Sequence, residues 1–295
     1  MRDEGYAGRF RSKSDDRVWI GSRGGIFDAH YVAPLPEAVS GLINDWVEFS
    51  SRSDIGIVER LALSHAQFES IHPFLDGNGR VGRVAIQRML LLSGAKPLPV
   101  SSALLALKSQ YFASFDSYRA GDINPAVQIQ AVAVEAALAG MAEFYAERDA
   151  LMSEWFGRLG ASHGKRRNLY EAVVHLSEFP VFTRYEMQNR LDVSEITARR
   201  IIDRLEADDI VQIGRKRWNP SKKRSEQTWE PPDIYRLAEK LERNIEDYAK
   251  TMFGSAVQPE QTGGSAFYID SSGDITEVRP GANHSSRIPQ QADTS

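Results

Sequence analysis

The chain has 295 residues, 42% of them hydrophobic and 26% charged, a formal net charge of -4 and no cysteine. That length suits one large and one small domain, and the composition suits a sizeable core. The missing cysteines exclude disulfide frameworks, thiolate zinc sites and cysteine nucleophiles, while the acidic balance excludes general nucleic-acid coating but allows a local basic patch.

No apolar run approaches the roughly 20 residues of a membrane span, and the first residues do not form a signal peptide, so a soluble, cytoplasmic protein is expected. Taken in chain order, Gly8-Arg-Phe-Arg11 and Val18-Trp-Ile20 flank a polar turn and predict a small hairpin or an arm anchored by Trp19. Pro34 to Pro36 starts a helix with Val39, Leu42, Ile43, Trp46, Val47 and Phe49 at helical spacing. Asp54 opens a second helix that ends at Pro73, and His65 inside it reads as a hydrogen-bonded core histidine. A third helix begins near Arg80, with Val84, Ile86, Met89, Leu90 and Leu91 apolar. Further helical patterns cover 102–119 and 125–157.

After a small polar linker, helices from Lys165, Thr183 and Ser194 are followed by the apolar run Ile210-Val-Gln-Ile213 and the basic loop Arg215-Lys-Arg-Trp218. That order predicts a winged helix-turn-helix. Residues 161–230 hold 14 Lys or Arg against 11 Asp or Glu, so this section is basic within an acidic chain. Arg199, Arg200, Arg215, Lys216 and Arg217 are the expected DNA contacts.

The chemistry concentrates in Ile71-His-Pro-Phe-Leu-Asp-Gly-Asn-Gly-Arg-Val-Gly-Arg83. Backbone amides of Gly77, Asn78 and Gly79 at a helix N-terminus make an anion site. Arg80 and Arg83, three apart, each grip a phosphate oxygen, Asp76 offers the hard oxygen that Mg2+ prefers, and His72 is a base near neutral pH. A His-Pro pair or a Gly-Asn-Gly turn alone reads as structure; the joint pattern reads as a polyphosphate site. Gly77, Gly79 and Gly82 also satisfy G-x-G-x-x-G, but a helix precedes them and no acidic residue follows at ribose-binding distance, so the dinucleotide fold is rejected. Kinase companions, a G-x-x-x-x-G-K-[ST] loop and H-E-x-x-H are absent from the sequence.

The stretch His72 to Arg83 resembles the signature H-P-F-x-[DE]-G-N-G-R-x-x-R of the Fic family, protein adenylyltransferases that move AMP from ATP to protein hydroxyls, and it agrees at every fixed position. The resemblance implies a mostly α, Fic-type helical bundle with a small β-hairpin flap, here followed by the winged helix-turn-helix domain. It makes His72 the base, Asp76 the magnesium ligand, Gly77, Asn78 and Gly79 the anion hole, Arg80 and Arg83 the phosphate clamps, and Phe74 an anchor for the loop. Val18, Trp19, Ile20 and Gly21 fall where the family has a target-docking flap. Gly121-Asp122 also resembles a family landmark, with Ile123 in place of an aromatic residue. The family's inhibitory motif [ST]-x-x-x-E-[GN], whose glutamate pairs with the arginine equivalent to Arg83, is not found in this chain. The expected division is arm and flap at 1–33, helical core at 34–157, linker at 158–164, winged helix at 165–232, a helix at 233–253 and a disordered tail at 254–295. Expected partners are ATP with Mg2+, a hydroxyl-bearing protein or the chain itself, DNA and a second copy as a homodimer, with no membrane. Transfer of phosphate or UMP, AMP removal, and DNA-binding regulation are the alternatives.

Overall fold

The computed structural model describes residues 8–12, 18–20, 27, 29–161, 166–256, 266–269 and 275–278. Strand β1 (Trp19–Ile20) pairs antiparallel with β2 (Tyr31–Val32), Trp19 opposite Val32 and Ile20 opposite Tyr31. The sequence predicts the Phe10–Arg11 run as the hairpin partner. Instead the Arg11 amide bonds the Pro73 carbonyl at 2.9 Å, and Phe10 rests on Phe74 with ring centroids 5.3 Å apart. Gly21, expected in the flap, lies outside the described residues.

Helix α1 (Pro36–Ser50) starts on a proline in its first turn, buries Val39 and leaves Val47 exposed. Its Trp46 indole donates to the Ser64 carbonyl at 2.7 Å on α2 (Ile57–Ile71). The expected cap of α2, Asp54, does not cap it. Its carboxylate is held by Arg52 at 2.9 and 2.5 Å, and Gly56 occupies the N-cap. Helix α3 (Asn78–Leu92) buries Gly82, Ile86, Met89 and Leu90, one face at 3.6-residue spacing. Val84 and Leu91, predicted inward, fall on the opposite side and are exposed.

The expected helix at 102–119 divides at Leu107 into α4 (Val100–Ala106) and α5 (Lys108–Arg119). Helix α6 (Asn124–Leu159) then runs for 36 residues, starting with Pro125 in its first turn. Ala133, Ala136 and Ala137 are wholly buried, and α2, α4 and α5 all contact α6. By length and composition α6 would pass as a membrane span; this packing accounts for its apolar character.

The linker expected at 158–164 is corrected at its start, because α6 continues to Leu159. Trp155 and Leu159 are fully buried in a second core with Ala172, Val173, Leu176, Ile202 and Leu205. Burying a side chain of that size stabilises by about 1.5–3 kcal/mol, enough to carry the helix through the predicted boundary. That second core is built by α7 (Arg167–Glu178), β3 (Phe182–Thr183), α8 (Arg184–Leu191), α9 (Glu195–Ala207) and the buried Ile210 and Val211, which lead into the exposed strand β4 (Gln212–Ile213). Hairpin β5 (Arg217–Asn219) and β6 (Arg224–Glu226) follows, then β7 (Thr228–Glu230), which lies between β3 and β4 in a three-stranded antiparallel sheet.

Thr183 and Ser194 open α8 and α9, as their sequence suggests. The Thr183 hydroxyl accepts from the Glu186 amide at 3.3 Å while the Glu186 carboxylate accepts from the Thr183 amide at 2.8 Å. Helix α10 (Pro232–Ala256) outlasts the predicted 233–253. Within residues 251–295, which cluster as a separate unit, Ala266–Ile269 (β8) pairs antiparallel with Ile275–Val278 (β9). The sequence predicts that tail to be disordered; these two runs are rich in β-branched and aromatic residues, which favour strands.

Candidate active site

Helix α2 delivers its C-terminus to the loop at 72–77. His72 takes a left-handed conformation, φ 49° and ψ 61°, with its amide bonded to the Phe68 carbonyl at 3.0 Å. The turn ends at Gly77, whose φ of 89° favours glycine and which forms the N-cap of α3. Asn78 is buried and staples the loop. Its Oδ1 accepts from the Phe74 amide at 2.9 Å and its Nδ2 donates to the Phe74 carbonyl at 2.8 Å. The Asn78 and Gly79 amides sit in the first turn of α3, where a helix offers N–H groups no internal acceptor.

A cleft of about 340 Å³ is lined by His72, Leu75, Asp76, Gly77, Asn78, Gly79, Arg80 and Arg83. It gathers every residue of the predicted base, metal, anion and clamp set. Arg80 and Asp76 are exposed and approach to 3.5 Å. Phe74 is not part of this lining and joins a cluster of tilted rings, 6.4 Å from Phe68 and 5.3 Å from Phe10, which supports the loop. Val18, Trp19 and Ile20 do not line the cleft, and Trp19 is exposed on β1.

Burial holds the His72 imidazole below the usual histidine value. Glu69 opposes that shift, while Arg11 and Arg119 reinforce it. The ring Nδ1 lies 3.4 Å from the Glu69 carbonyl. With Nδ1–H facing that carbonyl, Nε2 keeps the free lone pair. Under the cleft, His65 is buried and shares a 3.1 Å hydrogen bond with the Tyr111 hydroxyl. Glu69 Oε1 lies 3.5 Å from His65 Nε2. Burial and the Glu69 carboxylate push the Tyr111 phenol well above its usual range, with Arg83 pulling the other way.

The sequence reading missed Arg11, Tyr31, Glu69, Tyr111 and Arg119. Arg11, Tyr31, Tyr111 and Arg119 lie next to the loop only through the fold, whereas Glu69 is three residues before His72 on α2, a spacing that could have marked it. A larger cavity of about 440 Å³ lies near Thr183, Tyr185, Lys222 and Trp229. Its cations already have carboxylate partners, Lys222 and Arg224 with Glu226 at 2.8 and 3.8 Å and Arg184 with Glu195 at 3.0 Å, so size does not decide the site.

The comparisons agree with the loop. Residues 1–90 match the Fic/DOC family model. That stretch includes all of 72–83 and ends inside α3. The chain is similar to protein adenylyltransferase fic-1 of Caenorhabditis elegans, 31% identical over 134 residues, which is 45% of this chain and 24% of that protein. It is also similar to protein adenylyltransferase Fic of Nematostella vectensis, 29% identical over 132 residues, 44% of this chain and 28% of the relative. The chain thus spans about a quarter of the length of these curated relatives. The Fic/DOC match does not extend to α7–α10. There, Arg199 and Arg200 are exposed on α9, and Arg215, Lys216 and Arg217 are exposed at and before β5. Arg217 is tied to Glu186 at 2.5 Å, and Arg199 lies 3.9 Å from Asp203.

Proposed function

We propose that the chain is a protein adenylyltransferase that moves AMP from ATP to a Ser, Thr or Tyr hydroxyl of a protein target. The observation that carries this reading is the convergence of His72, Asp76, the first-turn amides, Arg80 and Arg83 on one cleft. His72 Nε2 takes the hydroxyl proton, the hydroxyl oxygen bonds to the α-phosphorus, and the bond to pyrophosphate breaks. The Asn78 and Gly79 amides and the guanidinium groups of Arg80 and Arg83 hold the phosphate oxygens and stabilise the charge that develops on them.

Asp76 is the residue that would hold Mg2+. Its exposed carboxylate lines the cleft beside the first-turn amides and is the kind of hard oxygen donor that suits this ion. When bound, the ion supplies charge neutralisation at the phosphates. Strand β1, carrying Val18 before it and exposed Trp19, is the edge for adding a target strand, with Gly21 beyond it. The names of the relatives support the AMP assignment.

Incubation with Mg2+ and ATP labelled at the α-phosphate tests the reading. Label passes to protein with the parent chain and not with His72→Ala; failure of the parent to label itself or a lysate protein overturns it. Mass spectrometry separates AMP from phosphate or UMP by added mass, and incubation of the labelled product without ATP tests AMP removal.

A second reading, DNA binding by the C-terminal section, is supported by the order α7–α8–α9 with hairpin β5–β6 and by the exposed Arg199, Arg200, Arg215 and Lys216. A gel shift that weakens with salt, survives His72→Ala and disappears on Arg215→Glu with Lys216→Glu supports it. No shift at low salt rejects it.

A further inference from the structure

Arg11 is buried, at 3% exposure, whereas Arg9, the other arginine among the described residues of the N-terminal arm, is not. Burying a guanidinium is costly, and burial lowers its pKa from the usual arginine value. Among the described residues no carboxylate lies within ion-pair distance of Arg11, and its Nη1 is buried without an acceptor. Stability alone therefore does not explain its position. Its acceptors are backbone carbonyls instead. The amide donates to Pro73 O at 2.9 Å, Nε to His72 O at 2.8 Å and Nη2 to Ile71 O at 3.0 Å.

These bonds complete a sequence that leaves no carbonyl from Phe68 to Phe74 unengaged. Phe68 O accepts the His72 amide and Glu69 O faces the His72 ring. Ser70 O accepts the Tyr31 hydroxyl at 2.7 Å. Arg11 takes the next three, and Asn78 takes Phe74 O at 2.8 Å. Arg119, stacked 3.9 Å over the Tyr31 ring, also donates to Ser70 Oγ at 3.2 Å. A non-glycine residue in the left-handed region is strained and persists only where its surroundings over-determine it. His72 is such a residue, and Arg11 holds the peptide groups on both of its sides. A guanidinium at the negative end of the α2 dipole also offsets the potential that the helix would present to an anionic substrate.

We propose that Arg11 is a positioning residue for the chemistry of the cleft: by clamping the carbonyls of Ile71, His72 and Pro73 it fixes the left-handed turn that aims the His72 imidazole. Arg11 does not touch the cleft, so it acts through His72. The inference rests on the transferase reading for its kinetic arm and is independent of it for its spectroscopic arm.

Four proteins decide it: the parent, His72→Ala, Arg11→Ala and Arg11→Lys. Thermal melts establish that each variant is folded. At saturating ATP, Arg11→Ala loses about 100-fold in turnover, the scale of a small misplacement of a catalytic group, while ATP affinity measured by calorimetry stays within about threefold. Arg11→Lys recovers part of the loss, and millimolar methylguanidinium restores turnover to Arg11→Ala. A merely structural anchor would lower turnover and ATP binding together with the folded fraction, and guanidinium would not help. Turnover within about twofold of the parent in Arg11→Ala, or loss in proportion to unfolding, overturns the proposal.

The second arm reads the His72 ring by nitrogen NMR, assigned by its disappearance in His72→Ala. The parent shows a single tautomer protonated at Nδ1, Arg11→Ala a mixture, and added methylguanidinium the single form again. An unchanged ring spectrum in folded Arg11→Ala also overturns the proposal. If the parent transfers no label but the ring spectrum responds as expected, the transferase reading fails and the positioning role of Arg11 stands.

Discussion

At the residue scale, His72 combines two facts that bear on its chemistry. It sits in a conformation that few non-glycine residues adopt, and it is held below its usual pKa by burial, against the influence of Glu69. A base with a lowered pKa remains unprotonated at more acidic pH. The acid limb of kcat/KM against pH is therefore expected below 6.5, the ordinary histidine value. A limb at or above that value contradicts the assigned environment. Asn78 makes a second residue-scale prediction. Its side chain satisfies both backbone groups of Phe74, so Asn78→Ala leaves a donor and an acceptor of the loop unpaired. The expected loss is about 1–3 kcal/mol in denaturant melts, with a fall in label transfer because the loop supports Asp76 and His72. The sequence displayed Asn78 only as part of an anion-binding turn, because a composition pattern cannot say whether a side chain faces the ligand or the loop.

At the element scale, helix pairing decides effects that propensity alone predicts with the wrong sign. Gly140 lies within α6, and alanine there would ordinarily favour the helix by about 1 kcal/mol. Here a Cβ on Gly140 would stand 2.5 Å from Ile245 Cγ1 and 3.1 Å from Leu241 Cδ1 on α10. Ile245 is wholly buried and branched at Cβ, so it has little freedom to withdraw. Gly140→Ala is expected to destabilise by about 1–3 kcal/mol, read from the denaturant midpoint. A gain in stability would mean that the two helices separate more easily than this packing implies. The capping box of α8 makes a gentler case, legible in sequence as Thr183 three residues before Glu186. Thr183→Ala removes the acceptor for the Glu186 amide and is expected to cost about 1 kcal/mol in the same measurement. Caps of this kind are local, and the sequence located them at Thr183 and Ser194. It misplaced the start of α2 because Arg52 takes the Asp54 carboxylate that would have capped it.

At the scale of the whole molecule, α6 joins two cores. Its first half buries Ala126, Ile129 and Ala133 among α2, α4 and α5, and its end buries Trp155 and Leu159 among α7–α9. Helix α10 returns along it, with Lys240 paired to Glu143 at 3.1 Å and Asn244 donating to Glu143 at 2.7 Å. A single helix spanning both cores couples their unfolding, so calorimetry on the full chain is expected to show one main transition with calorimetric and van't Hoff enthalpies in agreement. Two separated transitions would show that α6 breaks near the boundary that the sequence suggests. The sequence by itself determined the helical character, the helices opened by Thr183 and Ser194, and the loop at residues 72–83 that feeds a helix N-terminus, because each rests on side-chain types at short fixed spacings. Only the tertiary structure decided that Arg11 belongs beneath the loop rather than in the hairpin, that Glu69 and Tyr111 lie below Arg83, and that α6 carries through the supposed linker. Those outcomes depend on which distant groups satisfy buried carbonyls and fill buried space. A backbone acceptor such as the carbonyl of His72 looks the same in every sequence until the fold brings a donor to it.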